Sequence, residues 1–193
     1  MNKHFSNISS HSSNIYIADY TELTKSAKGV EISDAPFSDI QFCTVSNPRG
    51  IECWGINFEK NPDVFQITDT EEAQTSQCEC MIASKKSQER AWVCLMELKY
   101  CSDERIRRRS NEAFKQLTNS FNHLKENGII DLKKHRVYFI ISIPEHSNRE
   151  PFSSFVFSQD KKLELKKTKK FQLLNYNEIE VLNEGYLRPL LNT

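Results

Sequence analysis

Hydrophobic and polar positions change their period once, decisively, at Tyr100. Before it, Ala91 to Tyr100 (AWVCLMELKY) is apolar on both sides and rich in strand-favouring residues, which predicts a central strand covered on both faces. Strand alternation places Val93, Leu95, Glu97 and Lys99 on one face, and Trp92, Cys94, Met96, Leu98 and Tyr100 on the other. After it, Ile106, Ala113, Phe114, Leu117, Phe121 and Leu124 fall on one stripe of a helix over Asp103 to Glu126, stopped by Gly128. Val137 to Ile143 (VYFIISI) reads as a buried strand following this crossover helix, ended by Pro144. Cys78 to Ala83 (CECMIA) reads as a strand interrupted by Glu79, and the charged Lys85 to Arg90 is short enough to fold it back against Ala91 to Tyr100.

The remaining pattern is weaker. Residues before Asn14 are rich in Ser, Asn and His and read as a loose leading segment, 1–13, ahead of one domain over 14–193. Asp19 with Glu22 resembles the start of a short helix through Lys28, with Gly29 as its stop. Turn-rich residues from Asp34 to Ser38 separate it from strands at Ile40 to Val45 and Ile51 to Phe58, joined through the turn signal Ser46 to Gly50. After a turn at Lys60 to Asp63, Val64 to Thr68 reads as extended and Asp69 to Ser76 as a loop. Phe152 to Phe157 and Lys162 to Lys166 suggest a peripheral hairpin whose lysines guard an edge, and Tyr176 to Glu184 a closing helix stopped by Gly185. No internal repeat is visible.

Composition narrows the function classes. The 193 residues carry 26 basic and 26 acidic side chains, so no global field draws the chain to nucleic acid, and contact with phosphate must come from local patches. A mean hydropathy of -0.60 and the absence of a long apolar span exclude a membrane helix. The amino terminus lacks the apolar core of a secretory signal, so a cytoplasmic location is expected. Six cysteines, at 43, 53, 78, 80, 94 and 101, mostly sit in predicted strands and read as small buried hydrophobes. Cys78 and Cys80 would share a strand face, but no pair has the Cys-x-x-Cys spacing of common zinc sites.

The candidate chemistry is carboxylate and lysine. Glu97 and Lys99 lose solvation on a buried strand, which a salt bridge, a metal ion or access to water must offset. If Cys78 to Ala83 pairs with Ala91 to Tyr100, Glu79 is a second acid that can converge with Glu97 on one divalent cation, with the Leu98 carbonyl as a further oxygen. Hard oxygen ligands in a partly open site suit Mg2+ or Mn2+. Lys99 beside them would hold a water and offset charge in the transition state.

These residues, Glu79 in CECMIA and Glu97-Leu98-Lys99 as an E-x-K signature, followed by a helix with Gln116-Leu117 and the strand VYFIISI, resemble the PD-(D/E)XK nuclease superfamily. The resemblance covers roughly residues 77 to 143. Here the first acid is Glu after Cys, where the family usually has Asp, often after Pro. The resemblance implies an α/β (α+β) fold, a restriction-endonuclease-like mixed sheet flanked by helices, with metal-dependent hydrolysis of phosphodiesters in nucleic acid, DNA favoured over RNA. It further implies Glu79 and Glu97 as metal ligands, Lys99 as the catalytic lysine, and Gln116 as the helix glutamine of some branches. Arg105 and Arg109 border the apolar stripe and are candidate phosphate contacts, or a solvated basic face. A homodimer would cut two strands. The competing reading is an inactive nuclease-like module, a protein- or nucleic-acid-binding subunit of a defence or repair assembly.

Overall fold

The computed structural model describes residues 4–21, 28–65, 77–85, 90–146 and 157–190. In chain order the strands are β1 (Ser9–His11), β2 (Ile15–Asp19), β3 (Val30–Ser33), β4 (Cys43–Ser46), β5 (Cys53–Asn57), β6 (Cys80–Ser84) and β7 (Ala91–Leu98). After helix α1 (Ile106–Glu126) come β8 (His135–Ser142), helix α2 (Gln159–Thr168), β9 (Phe171–Leu174), β10 (Glu178–Asn183) and β11 (Tyr186–Pro189). They make two mixed sheets with few helices, an α+β arrangement.

Six strands form the larger sheet in the order β1-β5-β6-β7-β8-β9, with β7 near its centre. The pairs β1–β5, β5–β6 and β6–β7 are antiparallel; β7–β8 and β8–β9 are parallel. A parallel pair needs a long crossover, and α1 supplies the one between β7 and β8. The stripe on α1 buries Ile106, Ala113, Leu117, Phe121 and Leu124, as its period requires. Ala113, Leu117, Phe121 and Leu124 pack on Met81, Val93, Leu95, Val137, Phe139 and Ile141. The opposite side of the sheet, through Cys80, Ile82, Trp92, Cys94, Met96, Leu98, Tyr138 and Ile140, meets the smaller sheet β11-β10-β4-β2-β3. Strand β7 is thus buried on both faces, which explains why it is apolar on both.

Several expectations are corrected. Of the leading segment 1–13, Ser9–His11 is an edge strand on β5 and Phe5 is buried. Its polar composition suits an edge, which faces water on one side. Ile15–Asp19 is a strand that ends at the expected helix start; Tyr20 and Thr21 are helical, and 22–27, with Glu22, lie outside the described residues. The Ser46 to Gly50 signal is a turn, with Gly50 at φ 65° and the Asn47 amide bonded to both the N–H and carbonyl of Ile51. Yet it joins two sheets rather than a hairpin, since β4 pairs with β2 and β10. Residues 62–65 form a 3-10 turn instead of an extended run, and 66–76 lie outside the described residues.

At the carboxyl end, Lys162 to Lys166 is helical in α2, because Ser158 caps it by accepting from the Lys161 N–H and Lys and Glu are good helix formers. Its proposed hairpin partner, 152–156, lies outside the described residues. Tyr176 to Glu184 is no helix: Glu178–Asn183 alternates partly buried and buried positions in β10, and Gly185 lies in the turn of its hairpin with β11. Cys78 and Cys80 sit on opposite sides of the sheet, Cys78 toward α1 and Cys80 between the sheets. The ladder begins only at Cys80, while the Cys78 N–H turns away to Ser120 Oγ on α1.

Candidate active site

The acidic residues lie where β6 begins and β7 ends, ends that antiparallel pairing brings side by side. Their carboxylates bond reciprocally to the neighbouring backbone. The Glu79 N–H donates to Glu97 Oε2 at 3.1 Å, and the Leu98 N–H donates to Glu79 Oε2 at 2.9 Å. The Glu79 N–H is shared with the Met96 carbonyl at 3.2 Å, so the two acids reinforce the backbone pairing where it ends. Lys99 continues the chain past β7, its N–H donating to the Ser142 carbonyl at 2.8 Å, and its Nζ lies 2.6 Å from Glu97 Oε1. Both Glu97 and Lys99 are buried, at 1% and 6% exposure. Glu79 Oε1 is also buried, and has no hydrogen-bond partner among the described residues.

Asp19, at the end of β2 in the smaller sheet, brings a third buried acid toward this group. Its Oδ1 accepts from the Thr21 N–H at 2.9 Å and from the Thr21 hydroxyl. Its own N–H donates to the Tyr100 hydroxyl, which in turn donates to the Gln41 carbonyl at 2.7 Å. In the sequence Asp19 reads as a helix start, and nothing in the run IYIAD ties it to this group.

Electrostatics follow from three acids against one ammonium. Burial, then the charge of Glu97, then that of Asp19 raise the Glu79 carboxyl well above the ordinary range. Burial pushes Glu97 up to about 7, opposed by Lys99 and by the Glu79 N–H. Burial works against the Lys99 ammonium, but Glu97 and Glu79 beside it more than offset this and its pKa is raised. Lys99 is therefore a fixed positive charge here, not a base. The acids still carry more negative charge than one lysine balances, so the group takes up a proton or a further cation.

The donor set fits a hard divalent ion: Glu79 Oε1 offers an unused oxygen, and Glu97 a second carboxylate one strand away. Among the described residues, no three side chains of His, Cys, Asp or Glu are grouped to hold a metal, so backbone oxygen such as the Leu98 carbonyl and water would complete the shell. Lys99 Nζ occupies the cationic position beside Glu97 in this state.

The other expected residues do not converge here. Gln116 Nε2 donates to the Gln77 carbonyl at 3.3 Å, tying α1 to the backbone two residues before Glu79. Arg109 pairs with Glu112 at 2.7 Å on the helix surface, and Arg105 is exposed in the turn before α1. Five cysteines are buried; burial pushes the thiols of Cys43 and Cys53 up to about 12, as expected of core residues. Among the described residues no helix is long and apolar enough to cross a membrane. No protein-family model, curated protein or solved structure matches this chain.

Proposed function

We propose that the protein is a metal-dependent phosphodiesterase of the PD-(D/E)XK type acting on nucleic acid, with DNA the favoured substrate. The observation that carries this is the junction of Glu79, Glu97 and Lys99 at the mouth of a hairpin, where two acids are cross-bonded to each other's backbone and one of them, Glu97, pairs with the Lys99 ammonium. The element order supports it. An antiparallel run β5-β6-β7, the crossover α1 and the parallel β8 follow the order of strand, hairpin, helix and strand on which the resemblance rests.

In this reading Glu79 and Glu97, with the Leu98 carbonyl, would hold Mg2+ or Mn2+, which would supply Lewis-acid polarisation and a more acidic water. Lys99, kept protonated by the two acids, orients that water and stabilises negative charge as it builds on the phosphoryl oxygens. Gln116 steadies the approach to Glu79 through the Gln77 backbone. Arg105 and Arg109, on the rim of α1, contribute phosphate contacts away from the reacting atoms.

Incubation of the full chain with duplex DNA, single-stranded DNA and RNA tests this reading directly. Cleavage in Mg2+ or Mn2+, stopped by chelation and reduced about 100-fold or more in Glu97→Gln and Lys99→Met, is expected. Intact substrates after incubation with folded protein and both metals would overturn it. One observation favours the inactive module instead: Glu97 and Lys99 are almost fully buried, and both acids already serve the backbone. That reading requires a stable complex with a protein or nucleic-acid partner, and no calorimetric heat on adding metal.

A further inference from the structure

A second group of reactive side chains lies at the other end of the larger sheet. Ser9 and His11 are two apart on β1, hence on one face of an edge strand. Ser9 Oγ is 2.6 Å from His11 Nε2, and His11 Nδ1 is 2.7 Å from Asp34 Oδ1, just past β3 in the smaller sheet. Ser13 Oγ donates to the same Asp34 oxygen at 3.0 Å. The His11 side chain is 4% exposed, whereas Asp34 is 54% exposed and Ser9 half-buried. A buried imidazole is held between an acid and a reachable hydroxyl.

The chain opposite makes room for this arrangement. Gly55 pairs with Ser9 across the β1–β5 ladder, and a Cβ there would lie 2.6 Å from Ser9 Oγ and 2.8 Å from His11 Nε2. The proton positions follow from chemistry. An ionised Asp34 requires a proton on His11 Nδ1, so in the neutral ring Nε2 is an acceptor. The Ser9 hydroxyl then has Nε2 at 2.6 Å, closer than its other acceptor, the Gly55 carbonyl at 3.0 Å. A latch between the sheets would need only the His11–Asp34 bond. The hydroxyl on the second ring nitrogen is what a base-activated nucleophile requires.

We propose that Ser9, His11 and Asp34 form a nucleophilic serine site for small activated carboxylic esters, separate from the carboxylate–lysine site. Ser9 Oγ attacks the acyl carbon as its proton passes to His11 Nε2. The ester C–O bond breaks, and the departing alkoxide takes that proton and leaves as the alcohol. Water then attacks the acyl-serine, giving its proton to Nε2. As the acyl–Oγ bond breaks the proton returns to Oγ, releasing the carboxylic acid. Asp34 does not change protonation; it fixes the ring and balances its transient charge.

A fluorophosphonate probe on the full chain, read by peptide mass spectrometry, tests the site. The expected result is an adduct on Ser9, lost in Ser9→Ala and formed about 100-fold more slowly in His11→Gln. Asp34→Asn, at an exposed position that spares the core, is expected to slow labelling while leaving the thermal melt near wild type. p-Nitrophenyl acetate should give a burst of nitrophenol that Ser9→Ala lacks. Folded wild-type protein that takes up no probe, labelling that survives Ser9→Ala, or an unchanged rate in Asp34→Asn would overturn the proposal.

Discussion

Glu97 is held with its carboxyl pushed up to about 7, because burial penalises its charge more than Lys99 repays. The sign of its effect on stability follows. A carboxyl that holds its proton more tightly when folded stabilises the fold at low pH, and that contribution is lost as pH rises from about 4.5 to 7. The loss is on the order of 3 kcal/mol. Metal-free protein is therefore expected to melt at lower temperature at pH 8 than at pH 5. Glu79→Gln keeps an oxygen for the Leu98 N–H and removes a carboxyl whose ionisation burial and Glu97 oppose, so it is expected to melt no lower than wild type at pH 8 and to lie flatter across this range. Thermal melts in chelator check both. A Glu79→Gln protein less stable than wild type at pH 8 would contradict the charge argument. The three residues of this group were legible in the sequence because ionisable side chains in an apolar strand demand a reason. Asp19 was not, since its partner group comes from another sheet and no local pattern reports it.

Long elements with a sustained period were the ones sequence specified best. The strands 91–98 and 135–142 and the helix 106–126 each run over eight residues or more. Strands of four to six residues carry few repeats: β4, β5 and β6 show in the pattern, whereas β3 and β9 leave no signal and β10 reads as a helix. In α2, expected as part of a hairpin, only Leu165 is buried and Leu163 is 53% exposed. There the cap decided the local structure, not the apolar spacing. Ser158→Ala is accordingly expected to cost about 1 kcal/mol and to loosen α2 selectively. Hydrogen exchange should show faster amides across 159–168 with those of α1 unchanged; equal loss in both would contradict it.

At the scale of the whole molecule, the sheets are joined by aromatic side chains with polar tips. Trp92 Nε1 donates to the Asn183 carbonyl at 2.9 Å, Tyr138 Oη accepts from the Leu187 N–H, and Tyr100 Oη accepts from the Asp19 N–H. Each buries a ring between the layers and meets a backbone group of the smaller sheet or its approach. Sequence could show these as apolar positions on one face of a strand, but not what lay opposite. Tyr100→Phe keeps the ring and strands the Asp19 N–H and Gln41 carbonyl, at an expected cost of about 1–3 kcal/mol. Under the proposed function it should also weaken cleavage, since Asp19 is near enough for its charge to raise the Glu79 and Glu97 carboxyls. Denaturant titration followed by tryptophan fluorescence measures the first effect, and a variant as stable as wild type would show that these bonds carry no weight.

The most direct examination of the carboxylate–lysine site is anomalous diffraction from crystals of the protein soaked in Mn2+. A manganese peak between Glu79 and Glu97, with Lys99 Nζ displaced from its 2.6 Å contact, is the expected result. Density showing the lysine still seated on Glu97 and no manganese at either acid would contradict it.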